Sequence, residues 1–167
     1  ELKEAEEQLR LHEAALESAA NAVVITDFEG RITWANPSFT VLTGYSFEEA
    51  IGRNISILKS GQHDHTFYQN LWQTILSGSV WHGEIINRKK DGSLFVEEQT
   101  ITPIRARSGI IDYFISIKQD ITARKQIEKA LVTGEQYNRT LFELSPIGLA
   151  LFDIEGTVVD CNEAYAA

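Results

Sequence analysis

Near its end this chain repeats, with changes, a segment found near its start. Residues 22–36 read Ala-Val-Val-Ile-Thr-Asp-Phe-Glu-Gly-Arg-Ile-Thr-Trp-Ala-Asn, and residues 148–162 read Gly-Leu-Ala-Leu-Phe-Asp-Ile-Glu-Gly-Thr-Val-Val-Asp-Cys-Asn. Asp27, Glu29, Gly30 and Asn36 return as Asp153, Glu155, Gly156 and Asn162, all at one offset. Glu17 returns as Glu143 at the same offset, so the repeat includes the segment before the first strand. Repetition on this scale implies tandem domains joined by linkers rather than a solenoid. One complete module and the opening of a second are therefore expected.

The 43% apolar content of the 167 residues suffices for a packed core. A net charge of −9 argues against a surface that tracks nucleic-acid phosphates, which would be basic. Cys161 is the single cysteine, so neither an intrachain disulfide nor a cysteine-rich metal site can form. That fits a reducing, cytoplasmic setting. The longest apolar runs are too short to span a bilayer, and no membrane contact is expected of these residues.

Residues 1–20 lack Pro and Gly and are rich in Ala, Leu and Glu, which predicts an N-terminal helix. Leu2, Leu9 and Leu16 recur at heptad spacing, compatible with a coiled coil or with a helix lying on its own domain. The runs Ala22–Thr26 and Arg31–Ala35 flank Asp27-Phe28-Glu29-Gly30 and predict a hairpin. Asn36-Pro37 then punctuates, and short helical pieces follow over 38–58, broken by Gly44 and Gly52. A better helix is predicted over 63–77. Three longer strands follow, about Val80–Arg88, Leu94–Ile104 and Ile110–Ile121. The pattern becomes helical again to about Leu144, where Ser145-Pro146 leads into the repeated strand. Five strands with short helices after the second predict an α+β fold with an antiparallel sheet. The expected domains are a helix over 1–20, a module over 21–122, a linker helix over 123–144 and the start of a second module over 145–167.

The residues carrying this order are Asp27-x-x-Gly30, Trp34-x-Asn36-Pro37-x-Phe39, Thr43-Gly44-Tyr45, Gly52-Arg53-Asn54, Lys90-Asp91-Gly92 and Asp120-Ile121-Thr122. In this joint order they resemble a PAS domain. The resemblance implies a five-stranded antiparallel sheet with short helices on one face, flanked by N- and C-terminal signalling helices. It also implies a sensory and dimerising module that is not itself an enzyme. Downstream signalling domains of the same chain and a homodimer formed through the flanking helices would be its protein partners.

Within the family, Leu71-Trp72, Trp81-x-Gly83 and Asn87-Arg88-Lys89-Lys90-Asp91-Gly92 resemble flavin-binding members, above all the FAD-binding, redox-sensing domains of the NifL type. The resemblance implies noncovalent FAD, with FMN as the alternative, and sensing of redox state, oxygen or light. It implies that Asn87 hydrogen-bonds the flavin ring edge and that Trp72 flanks the ring. Trp81, Asn54 and Arg88 complete the expected contacts, with Arg88 or Lys89 as a partner for the FAD pyrophosphate. A carboxamide offers both donor and acceptor to a pyrimidine edge, and an indole supplies a flat apolar wall. Two positions depart from the NifL-type pattern. Val24 and Ile55 replace polar groups, which predicts a drier pocket that disfavours charged flavin states unless another group compensates. Ile55 also stands where blue-light LOV domains carry a reactive cysteine, so a cysteinyl adduct at that position is excluded. The second amide of the LOV pattern is Glu97 here, and its glutamine position is Lys118. The facing of Gln99 and Gln119 is left open by the sequence.

Three rival readings stand beside this one. One is a cofactor-free dimerisation and relay module, and another binds haem through a helix histidine. The third binds a small metabolite or organic acid, whose pocket should gather Arg, Lys or Ser groups. His63-Asp64-His65 reads as a solvated helix start, and no metal is expected.

Overall fold

The computed structural model describes residues 2–166; Glu1 and Ala167, at the outer ends of the expected first helix and second module, lie outside the described residues. Two compact units part after Thr122.

The first unit opens with helix α1, Leu2–Glu17, on which Leu9, Leu11 and Leu16 are exposed. Strands β1 (Ala22–Asp27) and β2 (Ile32–Ala35) form the expected hairpin. Its turn is dictated locally. Asp27 Oδ1 accepts the backbone N–H groups of Glu29 at 2.9 Å and Arg31 at 2.8 Å, and Gly30 takes φ 80°. An acidic side chain that closes its own turn, followed by a residue free to adopt positive φ, is Asx-turn chemistry.

Asn36 ends the hairpin and caps helix α2 (Pro37–Thr43). Its Oδ1 accepts from Val23 N and Phe39 N, while Nδ2 donates to the carbonyls of Leu16 and Asn21. One buried carboxamide therefore ties the end of α1 to the first strand and the first short helix. Helix α3 (Phe47–Ala50) carries a Ser46/Glu49 capping box. A 3-10 turn over Ile55–Leu58 and helix α4 (His65–Leu76) complete the crossing.

Strands β3 (Trp81–Arg88), β4 (Leu94–Arg105) and β5 (Ile111–Asp120) follow. The sheet order is β2-β1-β5-β4-β3 with every pairing antiparallel. β2 and β3 lie at opposite edges, so the chain between them must traverse one face of the sheet, and it does so as the short helices. The α+β architecture predicted from the sequence is the one observed. One core cluster gathers Val24, Ile32, Phe39, Leu58 and Phe95, and a second gathers Leu71, Ile75, Trp81, Ile101 and Phe114.

Helix α5 (Thr122–Leu144) leads through the second unit to strands β6 (Ala150–Phe152) and β7 (Val158–Cys161) and helix α6 (Glu163–Ala166). The repeated residues repeat their chemistry. Asp153 Oδ1 accepts from Glu155 N and Thr157 N, and Gly156 takes φ 83°. Asn162 accepts from Leu149 N and Tyr165 N and donates to the carbonyls of Phe142 and Ile147. Among the described residues of this unit only Asn162 is buried. A two-stranded hairpin has no second layer to cover its apolar side chains.

Candidate functional site

A cavity of about 360 Å³ lies between α4, the 3-10 turn and the inner face of the sheet. Its walls follow from two periodicities. On α4 the lining residues are Tyr68, Leu71, Trp72 and Ile75, an i, i+3, i+4, i+7 stripe. On the strands they alternate: Ile85 and Asn87 on β3, Gln99 and Ile101 on β4, and Phe114, Ser116 and Lys118 on β4's neighbour β5. Thr26, Gly30, Asn54, Ile55, Ser56 and Lys59 close the remaining side.

Of the residues singled out in the sequence, Asn87, Trp72, Asn54 and Ile55 line this cavity. Trp72 stands edge-on to Phe114, with ring centroids 5.9 Å apart. A Cβ on Gly30 would lie 3.3 Å from both Trp72 Cη2 and Asn54 Nδ2, so the glycine admits the indole as well as the turn. Asn54 is already engaged in structure: Oδ1 caps the 3-10 turn at Ser56 N, and Nδ2 donates to the Glu29 carbonyl at 2.8 Å. Asn87 is buried and donates to Glu97 Oε1 at 2.9 Å, while its carbonyl oxygen accepts from none of the described residues.

Trp81, Val24 and Arg88 are outside the lining. Trp81 is buried against Phe67, edge-on at 5.9 Å, and covers Gly83. Val24 is fully buried in the other core cluster. Arg88 is exposed and spends its guanidinium on the carbonyls of Gly92 and Ser60 at 3.0 Å each.

The sequence did not single out the most consequential feature as a site. Lys118 Nζ meets Glu97 Oε1 at 2.6 Å, with the side chains 1% and 0% exposed. Both Lys118 and Asn87 address that one oxygen, and Glu97 Oε2 is buried without a hydrogen-bond partner. Gln99, paired with Lys118 across β4 and β5, also faces the cavity, whereas Gln119 is exposed. The alternation along β4 and β5 was available as a signal for facing. The pairing of residues on different strands was not.

Tyr68 contributes a second buried oxygen without a partner. Burial, and then the Glu97 carboxylate, push its hydroxyl above the ordinary phenol range, so it remains a donor at neutral pH. The Lys59 ammonium sits 3.9 Å from the centre of the Tyr68 ring.

The expected solvated start of α4 needs correction at His63. Its Nε2 accepts the Ile86 N–H at 2.8 Å and its ring stacks on Phe67 at 4.1 Å. A helix-start residue that reaches the sheet is a structural tie, and Asp64 supplies the cap.

A family model described as PAS fold matches residues 10–121, and a second, described as PAS domain, matches residues 136–167. The nitrogen fixation regulatory protein of Klebsiella pneumoniae is 31% identical over 90% of this chain and 30% of its own length. The chain thus spans less than a third of that curated relative. The structure of an RNA-binding Light-Oxygen-Voltage receptor is similar with a TM-score of 0.69 and 26% identity, over 77% of this chain and 37% of the other. The crystal structure of a PAS domain from Colwellia psychrerythraea matches with a TM-score of 0.62 and 30% identity, over 69% of this chain and 98% of the other.

Proposed function

This chain belongs to the PAS family, and from that premise we propose that its first unit is a sensor whose cavity holds a flavin without a covalent bond. FAD is the expected form and FMN the alternative. The observation that carries this reading is the cavity's composition. Trp72, Leu71, Ile75, Ile85, Ile101 and Phe114 supply apolar walls, and the carboxamides of Asn87 and Gln99 supply polar groups on the sheet side. Ligand sites are typically apolar with a few placed polar groups and occupy roughly 300–1,000 Å³. This cavity is at the small end of that range, which suits a ring system more than a whole dinucleotide.

The residues present fit such a ring. Asn87 keeps a carbonyl oxygen uncommitted, and the buried Tyr68 hydroxyl is a donor without an acceptor. A buried hydroxyl without a partner is costly and points to an absent one. Ile55 offers aliphatic carbon and no thiol. When bound, the flavin would supply the redox and light-absorbing chemistry, while these residues orient it and exclude water.

A route outward begins beside the cavity. Glu97 adjoins Val96, whose N–H donates to Thr122 Oγ1 at 2.9 Å and whose carbonyl accepts from Ile121 N. Strain at Glu97 would therefore reach the first residue of α5. The proposed organisation is a helix over 1–20, a sensor over 21–122, a linker helix over 123–144 and the start of a second module over 145–167. The sensor is not an enzyme on this reading, works in the cytoplasm as a homodimer and hands its signal to other domains of a longer protein. Among the described residues no helix is long and apolar enough to cross a membrane.

A second reading, a small organic-acid sensor, is favoured by one observation: the charged residues lining the cavity, Lys59 and Lys118, are both cationic. The visible spectrum of the purified protein separates the two. Flavin bands, with occupancy reduced in Asn87→Ala, are expected. Colourless protein that stays colourless with FAD and FMN, yet melts at higher temperature with dicarboxylates, would transfer the assignment to the second reading.

A further inference from the structure

The geometry points to Lys118 as the residue that selects the charge state of the ring held in the cavity, an assignment that rests on the flavin reading. Lys118 lines the cavity from β5 and is 1% exposed. Glu97 is fully buried and outside the lining, so the ammonium and not the carboxylate faces a ligand. Glu97 accepts one of the three N–H donors of that ammonium.

No carboxylate lines the cavity, and its other charged residue, Lys59, has the same sign as Lys118. In a protein of net charge −9 this is a local inversion. A charge removed from water acts on its neighbours much more strongly than one at the surface. Glu97 pairs with this buried lysine at 2.6 Å, which offsets part of the cost of taking the charge out of water. Lys118 is therefore the positive pole at the cavity's inner wall.

The oxidised flavin ring is neutral. Two electrons and one proton added to it give a ring with one negative charge. The ammonium favours that form, so the cavity holds reduced flavin more tightly than oxidised flavin, and the midpoint potential of the bound cofactor rises accordingly. Lys118 thus supplies the compensation that a pocket with Val24 and Ile55 in place of polar residues requires.

The test is an anaerobic titration of the flavin-loaded protein against a reference dye. Dithionite supplies the electrons and the buffer supplies the proton. Lys118→Gln alone leaves a buried carboxylate unpaired and risks unfolding, so the primary variant is Glu97→Gln with Lys118→Gln, which removes both charges at similar volume. It is expected to keep its flavin bands while its preference for the reduced form falls roughly tenfold, a midpoint about 30 mV lower for a two-electron couple. Glu97→Gln alone keeps an amide oxygen as acceptor for the Lys118 ammonium but removes the neutralising charge, and is expected to raise the midpoint. A pair that only supports the fold would shift both variants in one direction or neither, and that result overturns the assignment. Wild-type protein that binds neither FAD nor FMN overturns the flavin reading, and this assignment with it.

Discussion

Gly83 lacks a Cβ in the one place where the Trp81 indole needs the room. A Cβ built there would lie 2.8 Å from Cη2 and Cζ2 of that ring. The Trp81-x-Gly83 signal is therefore a packing unit: the indole lies forward along its own strand over Gly83 and meets Phe67 edge-on. Gly83→Ala should lower stability by about 1–3 kcal/mol through overpacking, measured by urea denaturation, while flavin occupancy at saturating cofactor stays that of wild type. Loss of flavin without loss of stability would instead return Trp81 to the site. Trp72, nine residues earlier, has the same side chain and the opposite fate, because its helical position puts it on the stripe that faces the cavity. Residue type alone did not separate these two tryptophans. The element carrying each one did.

The elements are held by short side-chain ties that the sequence displays openly. Asp27 and Asp153 close equivalent turns, and Asn36 and Asn162 latch equivalent helix ends to equivalent strands. The closing Asp120-Ile121-Thr122 segment has a comparable physical account. Asp120 Oδ1 accepts from Thr122 N and Oγ1, and Thr122 Oγ1 in turn accepts from Val96 N at 2.9 Å. The result is a clasp between the end of β5 and β4, one residue from the buried Glu97. Thr122→Val keeps the shape but leaves the Val96 N–H without its acceptor, which should cost about 1–2 kcal/mol. Faster hydrogen exchange at the Val96 amide is the expected signature, and the proposed relay predicts that flavin reduction will no longer alter protection there. Unchanged exchange at Val96 would remove the clasp from the relay.

At the scale of the molecule, apolar surface is left over on both flanking helices. Leu9 and Leu16 on α1, and Ile127, Leu131 and Leu141 on α5, are all more than 40% exposed. Such stripes on otherwise polar helices suit a second helix of the same kind. If they form the dimer proposed here, Leu9→Glu with Leu16→Glu will halve the mass measured by light scattering and leave the flavin spectrum intact. A dimer that survives both changes would exclude the α1 seam. The sequence by itself determined the family and the two hairpins, because turns join residues a few positions apart. It also determined that Ile55 cannot act as a thiol. Only the tertiary structure decided which side chains share the cavity. Glu97 and Lys118 meet because the β4–β5 register sets Gln99 opposite Lys118, with Glu97 one inward-facing position away. Strand alternation tells which face a residue occupies, but not which residue of another strand will face it. Thus an acidic chain could carry a cationic cavity without any composition revealing it.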